Sequence, residues 1–136
     1  MNPIVNGLEA EFAAIYAYGA FTHFLGSSTR DLAVEVEEEH RVRRDQLLSW
    51  FHDSDHDAPT PAATYEVGEV EDGSQAVETL IEVEEAVATA WRSGLASDDL
   101  EQREQCLEML QRCTVVLGRW RAAMGEIPTA PWPGRP

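Results

Sequence analysis

The 136-residue sequence predicts an all-α protein: a four-helix bundle built as two antiparallel hairpins joined by a long crossover loop. Three observations carry this. Four segments place apolar residues at three- and four-residue spacing, and no segment sustains the alternation of a strand. The links after the first and third segments are only a few residues long, which makes antiparallel neighbours. The link between the second and third is roughly 20 residues, long enough to run the length of a bundle.

The first helix runs from about Pro3 to Leu25, with Asn2 and Pro3 as N-cap and first helical residue and Gly26 as the stop. The second runs from about Thr29 to Phe51, and Ser28 and Asp31 have capping-box spacing. The linker HDSDHDAPTPAATYEVGEVEDG follows, in which TYEVGEV can form a short extended piece at most. The third helix starts near Ser74 and stops at Gly94; the fourth starts near Asp98, with Glu101 three residues later, and stops at Gly125. The tail IPTAPWPGRP carries four prolines and cannot be helical. Residues 1–127 therefore read as the bundle and 128–136 as a Pro-rich tail that packs back on it or reaches a neighbour. Two hairpins with one long crossover is the connectivity of ferritin-like bundles rather than of simple up-and-down ones.

With 43% apolar and 26% charged residues the chain is globular, and its length allows one core. Twenty-five acidic residues against ten arginines and no lysine give a formal charge of −15. Attraction to phosphate becomes repulsion at that balance, which argues against a nucleic-acid or anionic-membrane partner. No apolar run approaches the roughly 20 residues that span a bilayer, and the N-terminus lacks the features of a signal peptide. Cys106 and Cys113 lie seven apart on one helix, about 10 Å by helical rise, too far for a disulfide. They read as small core residues in a reducing compartment, and a cytoplasmic location is expected.

The chemical signal lies on the helix seams. The first helix has the stripe Ile4, Leu8, Glu11, Ile15, Tyr18, Thr22, Leu25, in which Glu11 stands where an apolar residue belongs. The second has Ala33, Val36, His40, Arg44, Leu47 and Phe51, with Glu37 flanking one turn before His40. The third has Val77, Leu80, Glu84, Val87 and Trp91. The fourth has Leu100, Arg103, Leu107, Leu110, Thr114, Leu117, Arg121 and Met124, with Cys106, Cys113 and Trp120 beside it. Three helices thus aim an ionisable residue inward near mid-length. Such burial costs several kcal/mol per group unless the group is paired or ligates a metal.

Two readings compete. A carboxylate-bridged di-iron or di-manganese bundle takes a Glu from each of two helices and Glu-x-x-His from each of the others. Glu11, Glu84 and the pair Glu37 and His40 supply four ligands of about six, and the fourth helix supplies none. The alternative is a buried ion-pair cluster. If the first turn centres near residue 27, Glu11 faces Arg43 or Arg44, Tyr18 faces about Glu37, and Ile15 faces about His40. Arginine suits such a buried fork because it pairs in a bidentate way. The cluster reading groups Glu11, Tyr18, His40, Arg43, Arg44, Glu84 and Glu85. An inward Arg44 favours it; an outward Arg44 leaves the site open.

Other features read as structural. His52, Asp53, Asp55, His56 and Asp57 form an acidic loop, and Ala58 and Thr64 stand where a calcium loop needs Gly and Glu. His23 is placed to meet the carbonyls ending the first helix. Trp50, Trp91 and Trp120 read as core or interface anchors. Glu39–Arg43, Glu37–Arg41 and Arg41–Asp45 have i, i+4 spacing, worth about 0.3 kcal/mol each.

The stretches EAEFAAIYAYG (9–19), EHRVRRDQLL (39–48), PAATYEV (61–67), EVEEAVATAWR (82–92) and RWRAAMG (119–125) resemble an actinobacterial ferritin-like family known only as a domain of unknown function. The resemblance spans nearly the whole chain. It implies a ferritin-like fold with no established activity, and marks Glu11, Tyr18, His40, Arg41, Arg43, Arg44, Asp45 and Glu85 as motif positions. A His that often follows the first-helix Glu in that family is Phe12 here, which removes a ligand. The expected protein is a non-catalytic cytoplasmic homodimer with a degenerate metal site and no cofactor, acting on a protein or small-molecule partner. The alternative is an iron- or manganese-dependent oxidase or metal-binding protein.

Overall fold

A computed structural model describes residues 2–125; the Pro-rich tail lies outside the described residues. Four helices account for most of the chain: α1 (Pro3–Phe21), α2 (Ser27–Asp53), α3 (Gly73–Ser93) and α4 (Leu100–Ala123). One-turn 3-10 segments, Thr22–Phe24 and Gly94–Ala96, tighten the exits of α1 and α3. No strand occurs among the described residues.

Local chemistry explains the helix ends. The Asn2 side chain accepts from the Ile4 amide at 2.8 Å, and Pro3 occupies the position whose amide would go unbonded. Asp72 and Asp99 cap α3 and α4 by accepting from Gln75 N–H and Gln102 N–H, at 2.9 and 3.0 Å. The α4 cap is thus one residue later than Asp98. The start of α2 departs from expectation. It begins at Ser27 on an extended Gly26 with no side-chain cap, so Ser28 and Asp31 lie inside the helix and form no capping box. His23 also plays another part. Its ring lies against Phe24, centroids 4.2 Å apart, while Arg30 reaches back and donates to the Leu25 carbonyl at 2.7 Å.

The Pro3 end of α1 lies beside Gly94, and the Phe24 carbonyl lies beside Gly73. Helix α1 is therefore antiparallel to α3, as it is to α2, and α2 and α3 run the same way. Residues 54–72 make the return crossing without forming a strand. Val67 and Val70 of this segment pack on the core, and Tyr65 sets its ring edge against Tyr16. Where α1 and α3 cross, Gly7 is required: a Cβ there would overlap the Trp91 indole. Gly94 in the same way leaves space for the Cys106 side chain.

The interior has two apolar layers. One gathers Ile4, Leu8, Phe12, Leu47, Phe51, Trp91, Cys106, Met109 and Leu117; the other gathers Tyr18, Phe21, Ala33, Val36, Leu80, Val116 and Trp120. Between them runs a polar belt.

Helix α4 is rotated from the expected stripe. Its buried face is Cys106, Met109, Cys113, Val116, Leu117 and Trp120, and Leu100, Leu107 and Met124 are exposed. The inner side of α4 meets the close approach at Gly94, where a compact thiol fits and a branched leucine does not. On α1 the buried side drifts to Ala14 and Ala17, leaving Ile15 half-buried, because a straight helix turns about 20° per heptad away from a strict 3.5-residue stripe.

Candidate functional site

Four charged or titratable side chains fill the polar belt: Glu11 from α1, His40 and Arg43 from α2, and Glu84 from α3. The first, second and fourth are wholly shielded from solvent and Arg43 is 2% exposed. Each sits one turn from apolar neighbours on its own helix, so burial of the helix face carries the polar group inward with it.

His40 is the centre. Its Nδ1 lies 2.7 Å from Glu11 Oε2 and its Nε2 lies 2.6 Å from Glu84 Oε1. A neutral imidazole has one N–H and would set its bare nitrogen against a carboxylate lone pair. Both contacts become hydrogen bonds when the ring is an imidazolium donating on each side. Burial opposes that charge, but Glu84 and Glu11 outweigh it and hold the His40 pKa up at about 10. Burial likewise opposes the charge on Glu84, yet His40, a donated hydrogen bond from Tyr18 and the charge of Arg43 keep its carboxyl below the ordinary value.

Arg43 closes the balance. Its Nη1 lies 3.2 Å from Glu11 Oε1 and donates to Cys113 Sγ at 3.7 Å. Two carboxylates, one imidazolium and one guanidinium sum to zero. Tyr18 donates from its hydroxyl to Glu84 Oε1 at 2.7 Å, and Trp120 donates from its indole to the Tyr18 oxygen at 2.9 Å. Burial and the neighbouring Glu84 push the Tyr18 phenol well above its ordinary value, so it stays a donor. Burial, with Glu11, raises the Cys113 thiol to about 12, so it is a neutral acceptor rather than a thiolate. All four helices thus contribute to one network.

The expected residues divide clearly. Glu11, Tyr18, His40, Arg43 and Glu84 come together. Glu37 does not: it turns outward onto Arg41 at 3.4 Å. Arg44, the residue expected to decide between the two readings, points away onto Asp45. Both arginines lie one turn from His40 and Leu47, but Arg43 is also two turns from the buried Val36 and so shares its side, and it is Arg43 that meets Glu11 and Cys113. Glu85 sits at the rim with Arg121, 3.3 Å away. Glu39 pairs with Arg119 across to α4, not with Arg43. Trp120 and Cys113 join the network although sequence reasoning placed them merely beside the seam; their spacing with Met109 and Val116 was the signal.

A dinuclear metal centre does not fit these residues. A ligating imidazole presents one bare nitrogen, and both nitrogens of His40 face carboxylates at hydrogen-bonding distance. Glu37, the carboxylate such a centre needs from α2 beside His40, is turned outward onto Arg41. A guanidinium already stands beside Glu11. Glu84 Oε2 and Glu11 Oε1 are buried with no hydrogen-bond partner among the described residues, but Arg43 stands 3.2 Å from the latter, and two lone oxygens are not a donor set. Among the described residues no group of three or more His, Cys, Asp and Glu side chains has an arrangement that could hold a metal ion, the acidic loop after α2 included. In that loop His56 stacks against Trp50.

No helix among the described residues is long and apolar enough to cross a membrane. The chain matches, over residues 4–136, the family described as Domain of unknown function (DUF4439), and it belongs to that family. No curated protein matches it significantly. Among solved structures it is similar to a conserved hypothetical protein, rv2844, from Mycobacterium tuberculosis. The two are 25% identical, with a TM-score of 0.82 over 94% of this chain and 92% of the other.

Proposed function

We propose that this member of the DUF4439 family is a non-catalytic ferritin-like module whose inner cluster is a fixed, electroneutral ion-pair network, and which works through interaction with a partner. One observation supports this reading above all others: both ring nitrogens of His40 are held by carboxylates, with Arg43 supplying the second positive charge. The up-down-down-up helix order with a long crossover is the ferritin-like arrangement, and the belt lies where such bundles build their sites. A network of this kind gives little net stability over an apolar core, but removing one member leaves a buried unpaired charge. Its role is therefore to fix the register of four helices and so the surface they present.

The test is metal analysis of protein purified without a tag, before and after incubation with ferrous iron or manganese, alongside thermal melts. The reading expects substoichiometric metal and an unchanged melting temperature. Stoichiometric iron or manganese that is lost in Glu84→Ala, with a melting temperature that rises on metal addition, would favour the oxidase or metal-binding alternative and overturn it.

A further inference from the structure

Of the neighbouring helix pairs, α2 and α4 approach each other least closely. Long side chains span their seam: Arg112 donates to Gln46 at 3.4 Å, Arg119 to Glu39 at 2.8 Å, and the Trp50 indole to Glu101 at 3.4 Å. Other elements touch directly, as Gly7 does against Trp91 and Gly94 against Cys106. The α2–α4 seam therefore holds an open groove of about 380 Å³, lined by Glu38, Val42, Arg43, Arg112, Val115 and Val116. Val42 and Val115 are 45% and 63% exposed, so two apolar walls of the groove face water.

The sequence that follows α4 matches this groove in chemistry. Residues 126–136, EIPTAPWPGRP, contain four prolines, each with a carbonyl acceptor and no amide N–H to leave unbonded. Arg43 and Arg112 bring N–H donors to the groove, and its valines suit the indole of Trp132. Charge agrees as well. Glu38 has no ion pair among the described residues, and Glu35 and Glu39 share the single cation of Arg119. Such a surface favours a cation, and the segment carries one in Arg135.

Reach agrees too. Gly125, at φ 77°, ends α4 in the left-handed conformation that turns the chain off the helix axis. From there Val115 lies about 15 Å back along α4 and Glu108 about 26 Å. A polyproline-like chain rises about 3.1 Å per residue, which carries Trp132 up to about 22 Å and Arg135 up to about 31 Å. Once a few ångströms are spent on reversing direction, Trp132 comes level with Val115, and Arg135 with Glu108. Other hollows suit the segment less. The one beside Ala13 and Val83 is already walled by Glu66, Val67 and Gly68 of the crossover, and the one between α1 and α2 borders no residue of α4.

We propose that residues 126–136 fold back along the α2–α4 groove of their own chain, with Trp132 seated between Val42 and Val115, and so cover Arg43. NMR spectroscopy of the full chain tests this. Nuclear Overhauser contacts are expected from the Trp132 ring to the Val42 and Val115 methyl groups, with those methyl signals shifted upfield by the indole. Trp132→Ala should abolish both the contacts and the shift. Val42→Glu, at an exposed position, should lose the contact between Trp132 and Val115. A Trp132 ring that contacts another part of the bundle, or none, would overturn the proposal. So would Val42 and Val115 signals that Trp132→Ala leaves in place. Contacts seen only between labelled and unlabelled copies in a mixed sample would overturn it as well, because they put the segment on a second molecule. None of these outcomes bears on the buried cluster, so the metal test stands apart from this one.

Discussion

His40 decides the character of the interior. A donor on each side of one ring joins α1 to α3 through α2, and every neighbour has a stake in its charge. His40→Asn keeps a polar side chain but loses the charge and one of the two contacts. A cost of about 3–5 kcal/mol in urea unfolding is expected, the usual penalty for breaking a buried ion pair from one side. Tyr18→Phe deletes one donor to Glu84 and the acceptor for the Trp120 indole. It should cost less, about 1–3 kcal/mol. A larger loss for Tyr18→Phe than for His40→Asn would mean that the phenol, not the imidazolium, organises the cluster.

The pH dependence follows from the same groups. His40 has its pKa raised from 6.5 to about 10 on folding, so its contribution is complete below the unfolded value and fades as pH climbs toward 10. Glu84 has its pKa lowered from 4.5, so its contribution is present above that value and fades as pH falls below it. Stability should therefore peak between about pH 5 and 7 and decline on both sides, measured as the urea midpoint against pH. A midpoint that keeps rising from pH 7 to 10 would show that His40 is neutral in the fold.

Among the helices, α2 has the weakest start and α1 the tightest contact. Gly26 leaves α2 without a side-chain cap, in an extended conformation with open space above it. Gly26→Asp should gain a few tenths of a kcal/mol by supplying one. Gly7→Ala should lose stability by about 1–3 kcal/mol, because the added methyl meets the large buried Trp91 ring rather than a flexible side chain. Equal and small effects of both on the melting temperature would remove the special role of the α1–α3 crossing.

Element by element, the sequence was legible where one face alternates plainly and where caps are unambiguous. Asn2–Pro3 marked the start of α1, and the expected starts near Ser74 and Asp98 fall within two residues of Gly73 and Leu100, although the side chains that cap there are Asp72 and Asp99. Helix α4 was not legible in phase, because two faces compete there. Leu100, Leu107 and Leu110 outweigh Cys106, Met109 and Cys113 in hydropathy, yet the close approach at Gly94 selects the smaller and softer side chains. The choice of Arg43 over Arg44 turned on about 100° of helix rotation, which spacing from His40 and Leu47 resolves only once the neighbouring helices are in place. Glu37 looked like a ligand through its i, i+3 relation to His40, but Arg41, one turn on, offers it an exposed partner that needs no burial.

At the scale of the whole molecule, two apolar layers enclose a neutral polar belt, while the surface holds nearly all of the −15 charge. That separation limits what the protein can do. Anions are repelled from the outside, and cations that reach the belt find its carboxylates already matched by His40 and Arg43. The similarity to the M. tuberculosis protein covers 94% of this chain at a TM-score of 0.82, so the four-helix fold is common to the two.

The most direct test of the account is the protonation state of His40, read from its ring ¹⁵N chemical shifts between pH 6 and 10. Two protonated nitrogens at pH 8, with no titration until near pH 10, are what the geometry requires. A bare nitrogen at pH 8, or shifts that move on adding manganese or iron, would contradict it.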